Sequence, residues 1–439
     1  MSLTPAARCY LLHAALLTGA LGIGALFYNL TIDALGYERI FLGRLETISR
    51  LVALLLLLPL WWLVHRIGLR QALLFSAGLH AVSTLTVALW PAAGPLLLAS
   101  AATGPAAVLF QVSAAPLMMA HSGSANRDTL FSLNAALNIG VAGASKWLGG
   151  MLPTLLARWL DVAPNSAPAY RATFGVVGLL LVAAILPLLL IPRREPEQPD
   201  SQRKPLAPSA EPPATEARSG LSVAFVRILA PLARRVPEPW RSVLSEPLAL
   251  LLLLVPPLVI SLGAALLIPY LNIFFVERYG ANNNTLGLTF ALSDVAAGLA
   301  MLAAPLLAAR LGKIGAIALT QLLSIPFLLL AGFAPGLLVA GAALVLRSGL
   351  FNLGVPLYDA FAMERSRPAV RPVAIGLVNG AYAAGYLVAP TISTSVQQGA
   401  GFAPLFVATA CCYGVAALLM LALFGSGKSR GCGPAKHGR

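Results

Sequence analysis

The apolar positions of this chain fall into long unbroken runs rather than alternating or one-faced patterns. Leu51 to Val64, Leu248 to Ile268 and Phe402 to Phe424 carry no charge. With their flanks they approach the roughly 20 residues a helix needs to cross about 30 Å of hydrocarbon. Such runs recur about twelve times, at 10–32, 40–63, 71–91, 95–119, 129–155, 171–191, 248–275, 285–308, 313–333, 336–361, 373–394 and 403–424. Most are apolar on every face and none alternates like a barrel strand, so helices are the way their backbone groups can be satisfied in lipid. The pattern predicts an all-α membrane protein of about 12 transmembrane helices in two pseudo-symmetric six-helix halves.

Polar punctuation divides the runs. Residues 1–191 form the expected first half, 192–246 a linker, 247–424 the second half and 425–439 a tail. Within the linker, 192–216 is crowded with prolines among charges of both signs and is expected to be an extended tether. Residues 219–245 intersperse Leu221, Phe225, Ile228 and Leu232 with Arg227, Arg234 and Arg235. That spacing suits an amphipathic segment on a membrane surface. The apolar run after Met1 to Arg8 has no small-residue cleavage site, and is expected to be the first spanning helix rather than a removed signal peptide.

Composition agrees: 58% of residues are hydrophobic and 10% charged, too few charges to cover a water-facing surface. Of the 30 Lys and Arg, 22 fall on the side of the termini and linker, 4 on the other side and 4 inside spans. Positive charge stays inside, so a multi-pass protein of the cytoplasmic (inner) membrane with both termini cytoplasmic is expected. The net charge of +14 is thus largely topological, and without an aromatic-interleaved basic patch it points to membrane lipids rather than nucleic acid. Cys9, Cys411, Cys412 and Cys432 have no metal-ligand spacing. No phosphate-binding loop or catalytic constellation is present, so no metal, no cofactor and no enzymatic activity are expected.

The halves echo each other. Tyr28-Asn29 precedes Arg66-Ile67-Gly68 much as Tyr270-Leu271-Asn272 precedes Arg310-Leu311-Gly312, and Gln111 and Pro116 have counterparts in Asn352 and Pro356. Duplicated halves with a site at their interface are a transporter architecture. On these residues the chain resembles the major facilitator superfamily over essentially its whole length. The superfamily's loop between helices two and three has the form Gly-x-x-x-Asp-Arg-x-Gly-Arg-Arg. Here the loop reads His65-Arg66-Ile67-Gly68-Leu69-Arg70, with Arg310-Leu311-Gly312-Lys313 as the second copy. Arginines and glycine are kept; the aspartate is not. The resemblance implies gating loops at His65, Arg66, Gly68, Arg70, Arg310 and Gly312, and a central cavity lined by helices one, four, seven and ten.

Polar side chains on those helices are the candidate cavity residues: Tyr28, Asn29, Gln111, Tyr270, Asn272, Arg347, Asn352 and Tyr358. In lipid each would be unsatisfied, so each faces protein or water; interhelical hydrogen bonding is the alternative to a ligand. Glu46, Arg50 and Asp294 are the candidate ion-coupling charges. Arg50 and Asp294 occupy related repeat positions, each 16 residues before its loop arginine, which suggests a pair or a shared path; an Arg50 bridge to Glu46 one turn away is the alternative. Arg347 suits a carboxylate on Asp294 or on a substrate. Lys146 and Arg44 are expected to snorkel. The expected function is secondary active transport of a small molecule by alternating access, as a monomer, with proton-coupled export. The alternatives are a lipid or amphiphile flippase and a non-transporting membrane sensor or scaffold.

Overall fold

Runs of aliphatic residues without backbone punctuation can only propagate as helices, and the breaks fall where a side chain or a dihedral forces them. The computed structural model describes residues 4–122, 126–192, 247–366 and 371–425; the linker, most of the tail and Cys432 lie outside them. Helix α1 (Pro5–Ala34) opens with Pro5 at its first turn and with Thr4 Oγ1 accepting from the Ala7 amide at 3.2 Å, so an otherwise unpaired donor is capped. It is followed by α2 (Arg39–Ile67), α3 (Leu69–Leu89), α4 (Ala93–Ala120), α5 (Arg127–Leu160) and α6 (Ala167–Leu189). Past the linker come α7 (Pro247–Leu267), a 3₁₀ turn over Ile268–Tyr270, α8 (Leu271–Tyr279), α9 (Asn283–Phe333), α10 (Leu337–Arg365), α11 (Arg371–Ala400) and α12 (Ala403–Phe424). Pro116 and Pro356 lie inside unbroken α4 and α10. Pro269 sits in the 3₁₀ turn that divides the seventh crossing.

At 51 residues α9 is too long for one crossing, and it reverses at Gly312. Before that glycine it runs parallel to α10, Gly341 packing on Thr289 and Gly349 on Ala296. After it the direction is opposite, with Gly354 on Thr320 and Glu364 paired with Lys313. Gly312 has φ 71°, ψ 162°, and Gly68 between α2 and α3 has φ 84°, ψ 158°. Both values lie in a region that only glycine enters without strain. Ten described helices are long and apolar enough to span a membrane. The reversal of α9 and the more polar α5, 34 residues long, raise the crossings to twelve.

The repeat is exact in register through much of the chain. Gly36 and Gly280, both of positive φ, are 244 positions apart, as are Gly68 and Gly312. Packing repeats too: α1 lies on α5 and α6 as α7 lies on α11 and α12, and α2 on α4 as the first part of α9 on α10. Small, aliphatic and aromatic side chains such as Ala20, Leu328, Phe27 and Phe406 fill the interior, while Leu98, Leu302 and Leu338 are more than 70% exposed. An apolar outer surface of this kind is stable against lipid, not water.

Candidate functional site

Where the two halves meet, side chains small enough to let backbones touch decide the geometry. Gly43 of α2 faces Pro390 and Thr394 of α11, and Gly287 of α9 faces Lys146 and Gly150 of α5. Gly43 and Gly287 are 244 positions apart, and so are Lys146 and Pro390, and Gly150 and Thr394. The two flanks of the interface are therefore the same contact used twice. Polar bonds reinforce this seam. Arg39 pairs with Glu277 and donates to Gln397 at 3.2 Å; Thr47 bonds Thr391 at 3.0 Å; Tyr170 donates to Asn283 at 3.1 Å. Asn29 donates to Pro269 O and lies 3.4 Å from its repeat counterpart Asn272, which itself donates to Leu26 O at 2.9 Å.

All these bonds lie at one end of the molecule. At the other, where the described chain begins and ends, the bonds among the described residues stay within a half: Thr4 to His121 O, Arg70 to Leu188 O and Leu189 O, Lys313 to Glu364. The sequence-predicted gating residues are held in the same way. His65 bonds Trp61 O and lies against the Trp61 ring, the Arg66 guanidinium lies 4.2 Å from the Trp62 ring centroid, and Arg310 is exposed.

Below the seam is a cavity of about 1040 Å³. Its walls come from α1, α2, α3, α4, α6 and α11, with Pro269 at the top. This differs from the expectation of helices one, four, seven and ten: among the described residues the seventh crossing adds only Pro269 of its 3₁₀ turn, and α10 adds none. Tyr28, Asn29, Gln111, Glu46 and Arg50 of the candidate residues line it. Tyr270 and Asn272 are buried in or beside the seam. Tyr358 donates to Leu253 O at 2.6 Å and Asn352 to Ser348 O at 2.9 Å, so both are satisfied inside the second half. Buried Arg347 donates to Tyr413 Oη at 2.8 Å. Sequence reasoning did not single out Ser49, Thr103, Ser83 and Asn379, which also line the cavity; nor did it weigh His80 as a lining residue.

The charges pair differently from the repeat-based expectation. Arg50 does not meet Asp294: its Nε and Nη2 donate to Glu46 Oε1 at 3.0 and 2.9 Å. Asp294 instead bridges across the seam to Lys146, Oδ2 to Nζ 2.6 Å. Lys146 therefore does not snorkel. Equal depth in two repeats places Arg50 and Asp294 on different interfaces, α2 with α11 and α9 with α5, so their symmetry itself keeps them apart. Arg44 is exposed. Among the described residues, Glu46 and Arg50 are the only charged groups in the cavity wall, whose remaining polar members include Tyr28, Asn29, Ser49, His80 and Thr103. Such a chamber can hold a small molecule by hydrogen bonds at its closed end and apolar contact along its sides.

Comparison with known proteins fits this geometry. The family model described as Major Facilitator Superfamily matches residues 10–390. No curated protein matches the sequence. Among solved structures, the chain is similar to the nucleoside transporter NupG at 11% identity and TM-score 0.67, covering 96% of this chain and 99% of that one. Similarity to a D-xylose-proton symporter is 14% with TM-score 0.67, covering 95% and 96%. A bacterial homologue of the human lysosomal transporter Spinster, inward-facing and occupied, gives 12% and 0.66 over 95% and 92%.

Proposed function

The chain belongs to the major facilitator superfamily, and from that premise we propose that it moves a small molecule out of the cell by alternating access coupled to protons. It is a multi-pass membrane protein of a transporter family rather than an enzyme. The observation that carries the reading is the cavity between halves that, among the described residues, are bonded to each other at one end. With both termini cytoplasmic, as the basic asymmetry argues, this is the inward-facing state, the state in which the Spinster homologue was captured. Parting the seam while closing the termini end would expose the same chamber to the opposite side.

Coupling falls to the carboxylates at membrane depth. Glu46 sits in the cavity wall and Asp294 in a seam that must part during each cycle; ionisable groups at such depth mark ion or substrate routes. A ligand-stabilisation screen on purified protein, followed by flux into proteoliposomes at two imposed pH gradients, tests the proposal. Asp294→Asn should lose gradient-driven flux and keep more of its substrate exchange. Normal pH-driven accumulation by that variant would leave Asp294 a structural partner and transfer the role to Glu46.

A second reading, passage of a lipid or amphiphile, has one observation in its favour. The cavity wall includes Leu54 and Leu57 of α2 and Gly376 and Gly380 of α11, helices from opposite halves with exposed flanks. A molecule with an apolar tail could rest between them.

A further inference from the structure

Helix α3 brings to the cavity polar side chains that the fold leaves unbonded. His80, Ser83, Thr84 and Val87 recur at helical spacing and all line the cavity, so one face of α3 looks into it. His80 is 7% and Ser83 3% exposed. Ser83 Oγ is buried without a hydrogen-bond partner, and neither the His80 ring nor the Thr84 hydroxyl has one among the described residues. The hydroxyls of α2 and α4 in the same wall are already committed. Ser100 donates to Leu45 O at 2.5 Å, Thr103 donates to Ser100 O at 2.7 Å, and Ser49 Oγ lies 2.9 Å from Thr103 Oγ1. These bonds reinforce the packing of α2 on α4, so close that a Cβ on Gly104 would run into Ser49 O. Leaving a buried polar group unpaired is costly. Three on one face of one helix point to a ligand that completes them.

The chemistry of the unbonded groups describes that ligand. Gln111 of α4 and Asn379 of α11, one from each half, also line the cavity and have no hydrogen-bond partner among the described residues. A neutral imidazole, a hydroxyl and a side-chain amide each both donate and accept. A carboxylate only accepts and an ammonium only donates, so either meets half of what these groups offer. A hydroxyl matches every one of them. The charges of the wall argue the same way. Glu46 and Arg50 are bonded to each other, and a charged ligand gains one of them only by stripping it from its partner.

We propose that the transported molecule is neutral and rich in hydroxyls, and that its hydroxylated end lodges inside the first half against His80, Ser83 and Thr84 of α3. Gln111 and Asn379, both toward the open end of their helices, meet it on the way. This rests on the transporter reading and names the substrate class of that site.

The test uses full-length protein in nanodiscs and a set of six-carbon probes. Sorbitol, gluconate and glucamine differ at one terminal carbon, which bears a hydroxyl, a carboxylate or an ammonium. Glucose supplies a neutral ring, and hexanediol lacks the interior hydroxyls. Sorbitol or glucose should raise the melting temperature well above the effect of the other three, the two neutral arms telling an open chain from a ring. Ser83→Ala and His80→Phe should each weaken half-saturation about tenfold, the scale of one hydrogen bond lost in a buried site. His80→Gln, which keeps a donor and an acceptor, should restore part of it. Without probe, Ser83→Ala should melt no lower than the unaltered chain, because it removes a group that the fold leaves unpaired. A clear drop would show that a resident water satisfies Ser83, and would overturn the proposal. So would a preference for gluconate or glucamine, equal stabilisation by hexanediol, no response to either neutral arm, or a folded Ser83→Ala with unchanged half-saturation. Should His80→Phe fail to fold, Ser83→Ala and the probe comparison decide. Maleimide access to each end, measured in the same preparation, reports alternating access separately. Its absence sinks the transporter reading, whereas loss of the neutral preference alone sinks only the substrate class.

Discussion

Replacing Gly287 by alanine should bias the protein away from the state described here. The added Cβ would lie 2.5 Å from Lys146 O and 2.8 Å from Gly150 Cα. Both obstacles are backbone of α5, so no side chain can rotate away and the two helices must move apart. Overpacking of this kind costs about 1–3 kcal/mol. The penalty falls on the seam-closed state alone if alternating access parts α5 from α9, because a parted seam has room for a methyl group. A bias of about 1–3 kcal/mol is a roughly 5- to 150-fold change in the ratio of the two states. Gly43→Ala should act with the same sign on the other flank, where its Cβ would meet Pro390 O and Thr391 Cα at 2.9 Å. The assay is the rate at which an impermeant maleimide added on the seam side labels Thr47→Cys, in a background lacking the native cysteines. Labelling should accelerate at least several-fold. Gly140→Ala, where nothing lies within 4 Å, controls for the general gain in helix propensity. An unchanged labelling rate in a well-folded Gly287→Ala protein would refute the claim that this seam opens.

Three further outcomes are expected. Ser201→Cys in the linker should react with impermeant maleimide only from the cytoplasmic side; labelling from outside would reverse the orientation taken from the charge asymmetry. Tyr358→Phe should lower stability by about 1–3 kcal/mol through the stranded Leu253 carbonyl while leaving ligand affinity unchanged, and Tyr28→Phe should do the reverse, both read by melting curves with and without ligand. Lys146→Gln and Asp294→Asn should be non-additive in seam accessibility, with a coupling of about 0.5–3 kcal/mol; simple additivity would mean that the 2.6 Å pair contributes nothing to closure.

Hydropathy made the crossings legible because lipid imposes one requirement on every residue of a span. The turns at Gly68 and Gly312 were legible as well, since a charge-flanked glycine between two apolar runs has little else to do. What periodicity conveys poorly is azimuth. Arg50 and Asp294 share a repeat position, but that says nothing about which neighbour a side chain faces, and Glu46 and Lys146 proved the nearer partners. Tyr28 and Tyr358 illustrate the same limit: a tyrosine in a membrane helix can meet a cavity or a neighbouring carbonyl, and only the fold decides. The seam glycines went unread although their signal was present, as Gly43 and Gly287 share one repeat register.

Helix α2 has a divided exposure. Glu46, Arg50 and Leu54 face the cavity, while Leu55 and Leu58 are 66% and 72% exposed on the outside, followed by exposed Trp61 and Trp62. The bilayer therefore grips an element that also walls the substrate chamber and bears one flank of the seam. Hydrocarbon that is too thick or too thin for this helix would tilt it, at a fraction of a kcal/mol per ångström of mismatch. Any tilt changes its packing on α11. Acyl-chain length should thus act as a silent effector of the transport cycle, shifting turnover without touching a binding residue.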